Sequence, residues 1–127
     1  MQAPLARTIY DLLNEIADRS PDQPFVFIDD DVITYRQMAK RASYVAGRLE
    51  ANGTKRGDVI GLLCNNRIEW LDVCFGAAGV GAVLAPFSTW STTAELEFLL
   101  EDAGAKTLFT LKNYGRQNFS DGLSALK

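Results

Sequence analysis

The chain has 127 residues, 47% of them hydrophobic and 23% charged, which fits one globular domain and excludes both a two-domain protein and a disordered segment. Its net charge is −3, from 13 basic and 16 acidic residues. Because the signs are interspersed, there is no basic stripe for nucleic acid and no polybasic patch for a membrane surface.

A domain of this size buries roughly two thirds of its extended-chain surface, so one core needs no disulfide or metal to support it. The sequence contains no histidine, which removes Ser-His-Asp and Cys-His catalysis and His-based metal sites from this chain. Cys64 and Cys74 match no metal or redox spacing, and both fall in apolar segments where a thiol serves as a small hydrophobe. No signal-peptide pattern opens the chain and no apolar run reaches about 18 residues, so the expected setting is cytoplasmic with no transmembrane segment. The longest apolar stretch, 73–87, is interrupted by Gly76, Gly79, Gly81 and Pro86.

In chain order, a first helix is expected over 8–19. Ile9, Leu12, Leu13, Ile16 and Ala17 lie on one face, Thr8 and Asp11 mark its start, and Ser20-Pro21 stops it. The segment 24–33 reads as a hairpin, with two β-rich runs flanking Asp29-Asp30-Asp31. Three successive carboxylates raise the idea of a cation site. A solvated turn is the better reading, because Asp is a turn former and the further oxygen ligands of a calcium loop are missing.

The second helix, 34–52, keeps Tyr35, Met38, Ala39, Ala42, Val45, Ala46 and Leu49 in register over four turns. Thr34 with Gln37 forms a capping-box pattern at its start, and Gly53 follows as a C′ residue. The only tight basic pair, Lys55-Arg56, flanks the turn at Gly57-Asp58.

From there the pattern is strand, helix, strand, helix, strand. The apolar runs VIGLLC, AVLAP and TLF supply the strands. Such a unit implies a parallel sheet joined by crossover helices. The helix expected over 66–79 is apolar on most sides and therefore buried on most sides. Asn66 with Glu69 marks its start. Gly76 and Gly79 cost about 1 kcal/mol each in helix propensity relative to Ala, and close packing of backbone against the sheet is the expected compensation. The helix over 92–103 starts with the pair Thr92 and Glu95, presents Leu96, Leu99, Leu100 and Ala103, and ends at Gly104. A strand follows from Lys106 to Thr110. The segment 113–127 is polar, with a weak helix start near Ser120.

In open parallel sheets, ligands bind beyond the carboxyl ends of the strands. Two loops stand there: Asn65-Asn66-Arg67, and Phe87-Ser88-Thr89-Trp90-Ser91. The candidate contact residues are Asn65, Asn66, Ser88, Thr89 and Trp90, beside helix N-termini whose amides favour anions. The alternative is that Asn66 and Thr92 are simple N-caps and the others ordinary loop residues. The glycines at 76, 79 and 81 do not form G-x-G-x-x-G and sit at the wrong end of a helix for phosphate; no Walker A motif is present. No catalytic residue and no metal ligand is assigned.

The ordered blocks carry a family likeness. They are the Tyr10-Asp-Leu-Leu13 helix, the hairpin, the Thr34-Tyr35 helix ending Arg48-Leu-Glu-Ala-Asn-Gly53, and Arg56-Gly-Asp-Val-Ile-Gly-Leu62. Asn66-x-x-Glu69-Trp70, Gly79-Val-Gly-Ala-Val-Leu-Ala-Pro86, and Ala94-Glu-Leu96 with Leu99-Leu-Glu-Asp-Ala-Gly-Ala-Lys106 follow. The arrangement, over about residues 8 to 110, resembles the N-terminal part of the adenylate-forming enzymes, the acyl- and aryl-CoA synthetases and their relatives.

The resemblance implies an α/β fold: a mostly parallel sheet with flanking helices, plus an N-terminal helix and hairpin. Residues 1–112 would form the N-terminal subdomain of an AMP-binding ligase, and 113–127 a polar tail or truncated linker. It also implies a two-step reaction in which a carboxylic acid, fatty or aryl, is activated by ATP and magnesium to an acyl-adenylate and passed to coenzyme A. The family's Ser/Thr/Gly-rich phosphate loop ending in Pro-Lys-Gly, its adenine-pocket motifs and its catalytic Lys lie downstream of the matched region and are absent here. Where many members show Asn-Pro after the strand proline, this chain has Ser88-Thr89-Trp90.

The expectation is therefore an N-terminal ligase fragment that is inactive and cofactor-free by itself. Its partner would be the remainder of the ligase chain, and its exposed apolar surface would favour self-association. The alternative is a stand-alone α/β binding or interaction domain without catalysis.

Overall fold

The computed structural model describes residues 3–111 and, for backbone pairing, 113–114 and 117–118. The elements follow the order read from the sequence: α1 (Ile9–Arg19), β1 (Pro24–Ile28), β2 (Asp31–Thr34), α2 (Tyr35–Ala51), β3 (Val59–Leu63), α3 (Ile68–Gly79), β4 (Val83–Pro86), α4 (Thr93–Ala103) and β5 (Ala105–Thr110). Two short strands, β6 (Asn113–Tyr114) and β7 (Gln117–Asn118), pair antiparallel within the segment read as a polar tail. The helix start considered near Ser120 lies outside the described residues.

The α/β class and the parallel sheet stand as expected. β3 is the central strand, paired in parallel with β4 on one side and β5 on the other. Its alternation sorts side chains to two cores, as strand geometry requires. Ile60 and Leu62 point to Leu49 of α2 and to Val73 and Ala77 of α3. Leu63 points the other way, against Leu96 of α4, with Phe87, Leu108 and Leu111 packed around the pair. A third cluster joins Leu13 of α1 to Met38 and Ala42 of α2, with Phe25 and Ile33 of the hairpin and Phe75 of α3 against it.

The helix boundaries follow from their caps. Thr34 and Thr92 each close a full capping box: the Thr hydroxyl accepts from the N3 amide while the side chain of Gln37 or Glu95 accepts from the cap's own N–H. At α1 only half the motif forms, since Thr8 Oγ1 accepts from the Asp11 amide and a Thr–Asp pair lacks the reach for the return bond. α2 ends in a Schellman arrangement. Gly53 adopts φ +84, its N–H donates to the Glu50 carbonyl, and the Thr54 N–H reaches back to the Leu49 carbonyl.

Three details differ from the sequence reading. The acidic turn of the hairpin is only Asp29-Asp30, with Asp29 at φ +51; Asp31 already pairs with Ile28 in the ladder. Asn66 does not cap α3. Arg67, itself extended at φ −151 and ψ 167, takes the cap position without a side-chain hydrogen bond, so the Asn66 side chain stands one position too early to reach the N3 amide. Finally, Gly76 and Gly79 pack closely against helices, not against the sheet. A β-carbon on Gly76 would stand 2.5 Å from Val45 Cγ1 and 3.2 Å from the Ala42 carbonyl oxygen. One on Gly79 would meet Tyr10 Cε2 at 2.9 Å and Ala46 Cβ at 3.2 Å. The missing side chains let α3 press onto α2 and α1.

Candidate functional site

The sheet places the two loops singled out in the sequence beyond the carboxyl ends of β3 and β4, anchored by the ladder itself. The Phe87 amide donates to the Leu62 carbonyl at 2.8 Å, and the Leu111 amide to the Leu63 carbonyl at 3.3 Å.

Two of the candidate side chains, Asn65 and Ser88, are engaged within their own loops. Asn65 Oδ1 accepts from Arg67 Nε at 3.0 Å, and Ser88 Oγ accepts from the Trp90 amide at 3.2 Å. The Ser91 amide donates to the Ser88 carbonyl, and Ser91 is buried.

The structure does not bring the five candidates into one site. Asn66 lines a depression of about 370 Å³ with Phe27, Ile28, Arg67, Trp70 and Leu71. Ser88 and Trp90 line a separate, open depression of about 690 Å³ that Ala94, Glu95, Phe98 and Leu99 complete. Asn65 and Thr89 line neither. Trp90 is 86% exposed, and Phe98 beside it 65%.

The N-terminus of α4 is a poor anion site for an electrostatic reason. The Glu95 carboxylate accepts from the Thr92 amide at 2.7 Å and already complements the positive end of α4. A phosphate approaching the α4 terminus meets a carboxylate first. Glu69 stands in the first turn of α3, with Arg67 at the cap position beside it and no side-chain cap hydrogen bond. For α4, the structure therefore supports the simple N-cap reading of Thr92.

Two features escaped the sequence reading. A smaller depression of about 270 Å³ at the ends of β3 and β5 gathers Cys64, Arg67, Glu69, Phe109 and Thr110 among its walls. Burial pushes the Cys64 thiol above its ordinary pKa; the Arg67 charge opposes the shift and the Glu69 charge adds to it. The thiol is protonated near neutrality and is not an activated nucleophile.

The second feature is a bidentate pair between helices. Arg41 Nε and Nη2 donate to Asp72 Oδ1 at 2.8 Å and Oδ2 at 2.7 Å. Asp72 is only 8% exposed. Its hydrogen bonds raise the Arg41 pKa further above the ordinary value, against the effect of burial. An acid in the middle of a helix that is apolar on most sides was the available signal: such a charge is buried only with a partner.

A third polar link fixes the turn that leads into β3. Asp58 Oδ2 accepts from the Lys55 amide at 2.9 Å, and Lys106 Nζ donates to Oδ1 at 3.0 Å, tying the turn to the start of β5. The Lys55 amide first, and then Lys106, hold the Asp58 carboxyl below its ordinary pKa. A depressed folded-state pKa contributes stability above the unfolded value and loses it as pH falls through the folded one. Asp58→Asn is therefore expected to lower stability at neutral pH and to flatten the acid limb. Denaturant midpoints measured from neutral to strongly acidic pH check this; parallel acid limbs in the two proteins would contradict it.

What this surface can do chemically is limited. It offers hydrogen-bonding loops and aromatic surface, but no nucleophile paired with a base, and among the described residues no cluster of three or more metal-ligating acids or thiols.

Comparison with known proteins assigns the chain to a family. A family model described as AMP-binding enzyme matches residues 13–126. The acyl-CoA ligase SID4 of Ajellomyces capsulatus is 37% identical over 93 residues, which cover 73% of this chain and 16% of that protein. Among solved structures, the N-terminal subdomain of Klebsiella oxytoca NpsA, bound to 3-hydroxybenzoyl-AMSN, superposes with a TM-score of 0.78 at 26% identity, covering 89% of this chain and 29% of that one. A Mycobacterium tuberculosis fatty acyl CoA synthetase superposes at 0.75 with 33% identity, covering 81% and 21%. The chain thus spans less than a third of the length of each of these relatives. With nearly its whole length matched in order, it belongs to the family of AMP-binding enzymes.

Proposed function

We propose that this chain is the N-terminal structural subdomain of an ATP-dependent ligase that activates a carboxylic acid, fatty or aryl, as its acyl-adenylate and transfers the acyl group to coenzyme A. The carrying observation is the match of residues 13–126 to the AMP-binding family in a chain that spans 16% to 29% of the three relatives. The two acid classes come from those relatives, one named for fatty acyl chains and one seen with a hydroxybenzoyl adenylate analogue.

The residues present do not fit ATP and magnesium. The phosphate loop is missing from the sequence, and Glu95 already occupies the N-terminus of α4. The role assigned to this chain is accordingly to supply one α/β layer of the scaffold, and the chemistry belongs to residues outside it. For the whole ligase, the energetic logic is that a carboxylate is a poor electrophile and AMP gives it a good leaving group.

The test compares residues 1–127 with the product of the full reading frame. The full product is expected to exchange pyrophosphate into ATP in the presence of a fatty or aryl acid. Residues 1–127 are expected to show no exchange, and no ATP binding by calorimetry. Micromolar ATP binding by residues 1–127 would overturn the assignment of an inactive fragment. A reading frame that stops at Lys127 would favour a stand-alone binding domain.

The reading includes a cytoplasmic setting. In support, Cys64 and Cys74 are both free thiols, which suits a reducing compartment.

The natural partner on this reading is the remainder of the ligase chain. Large apolar side chains stand open for it on the hairpin, where Phe27 faces Val32, and at Trp90 and Phe98. In isolation such surface favours self-association. Sedimentation of residues 1–127 is expected to show mass rising with concentration, and a monomer at millimolar concentration would count against it.

A further inference from the structure

We draw no further inference here: the strongest candidate, the open depression beside α4 walled by Trp90, Ala94 and Phe98, is an unpartnered apolar face, and nothing in the structure shows which segment or partner covers it.

Discussion

Arg41→Met is expected to destabilise the fold by about 2–4 kcal/mol, more than Asp72→Ala, although both remove the same two hydrogen bonds. The difference lies in what is left behind. Without Arg41, the Asp72 carboxylate stays in a site where its side chain is 11% exposed, and an unpaired buried charge costs about 3–5 kcal/mol when fully enclosed. Without Asp72, Arg41 keeps a side chain that is 38% exposed and can turn its guanidinium to water. The partial exposure of the arginine is the reason for setting the figure below the fully buried range. The pair Arg41→Met with Asp72→Leu is expected to recover most of the loss, since an apolar replacement of both partners removes the stranded charge. Urea unfolding of the four proteins measures all of this. Equal losses in the two single variants would show that burial of Asp72 is not the governing term.

Gly76→Val should cost about 2–4 kcal/mol, and the cost should depend on Val45. The β-carbon alone would stand 2.5 Å from Val45 Cγ1 and 2.6 Å from its Cβ, far inside contact distance. Val45 is β-branched and has one favoured rotamer in a helix, so it cannot swing away. The 3.2 Å approach to the Ala42 carbonyl blocks the other escape, leaving separation of α2 from α3 as the response. Overpacking of this kind costs about 1–3 kcal/mol for a few added methyl groups, and valine brings three carbons. The gain in helix propensity on replacing glycine by the β-branched valine, about 0.3–0.6 kcal/mol, offsets only a small part of that. In a double-mutant cycle with Val45→Ala, a coupling of at least about 1 kcal/mol is expected. Simple additivity, or a Gly76→Val protein as stable as the parent, would refute the close-packing account.

Both effects bear on why some of the molecule was legible in its sequence. Thr34 with Gln37 and Thr92 with Glu95 were readable because a capping box is complete within four residues. Its partners are fixed by the helix itself, and both motifs form as read. The strand runs were readable because β3 is covered on both faces and so carries a nearly unbroken apolar run. Asn66 misled because Asn suits an N-cap chemically, while the structure starts α3 one residue later, with Arg67 at the cap position.

The long-range partners were out of reach. Nothing near Asp72 names Arg41, which lies a helix away, and nothing near Gly76 says that its neighbour is α2 in place of the sheet. The candidate loops were placed correctly at the strand ends. Whether they converge depends on how far apart β3 and β4 set their exits and on which side chains turn inward, and the structure keeps Asn66 apart from Ser88 and Trp90. The family likeness was more readable than the site, because it rests on the order of blocks and needs no contact geometry.

The sheet order has a consequence for how the chain is made. β3 emerges from the ribosome first and ends in the middle, with β4 and β5 added on opposite sides. At roughly 5–20 residues per second, it spends seconds with two open edges before β4 arrives, and longer before β5 closes the second. During that interval Val59–Leu63 is a short apolar β-prone segment free to pair with another nascent chain. Of the elements that precede β3, α2 can offer Leu49 to one face of the strand, at Ile60 and Leu62, before either neighbouring strand exists. Before the sheet is complete, α2 is thus the element available to cover one face of the strand on which it is assembled, while both edges stay open until β4 and β5 arrive.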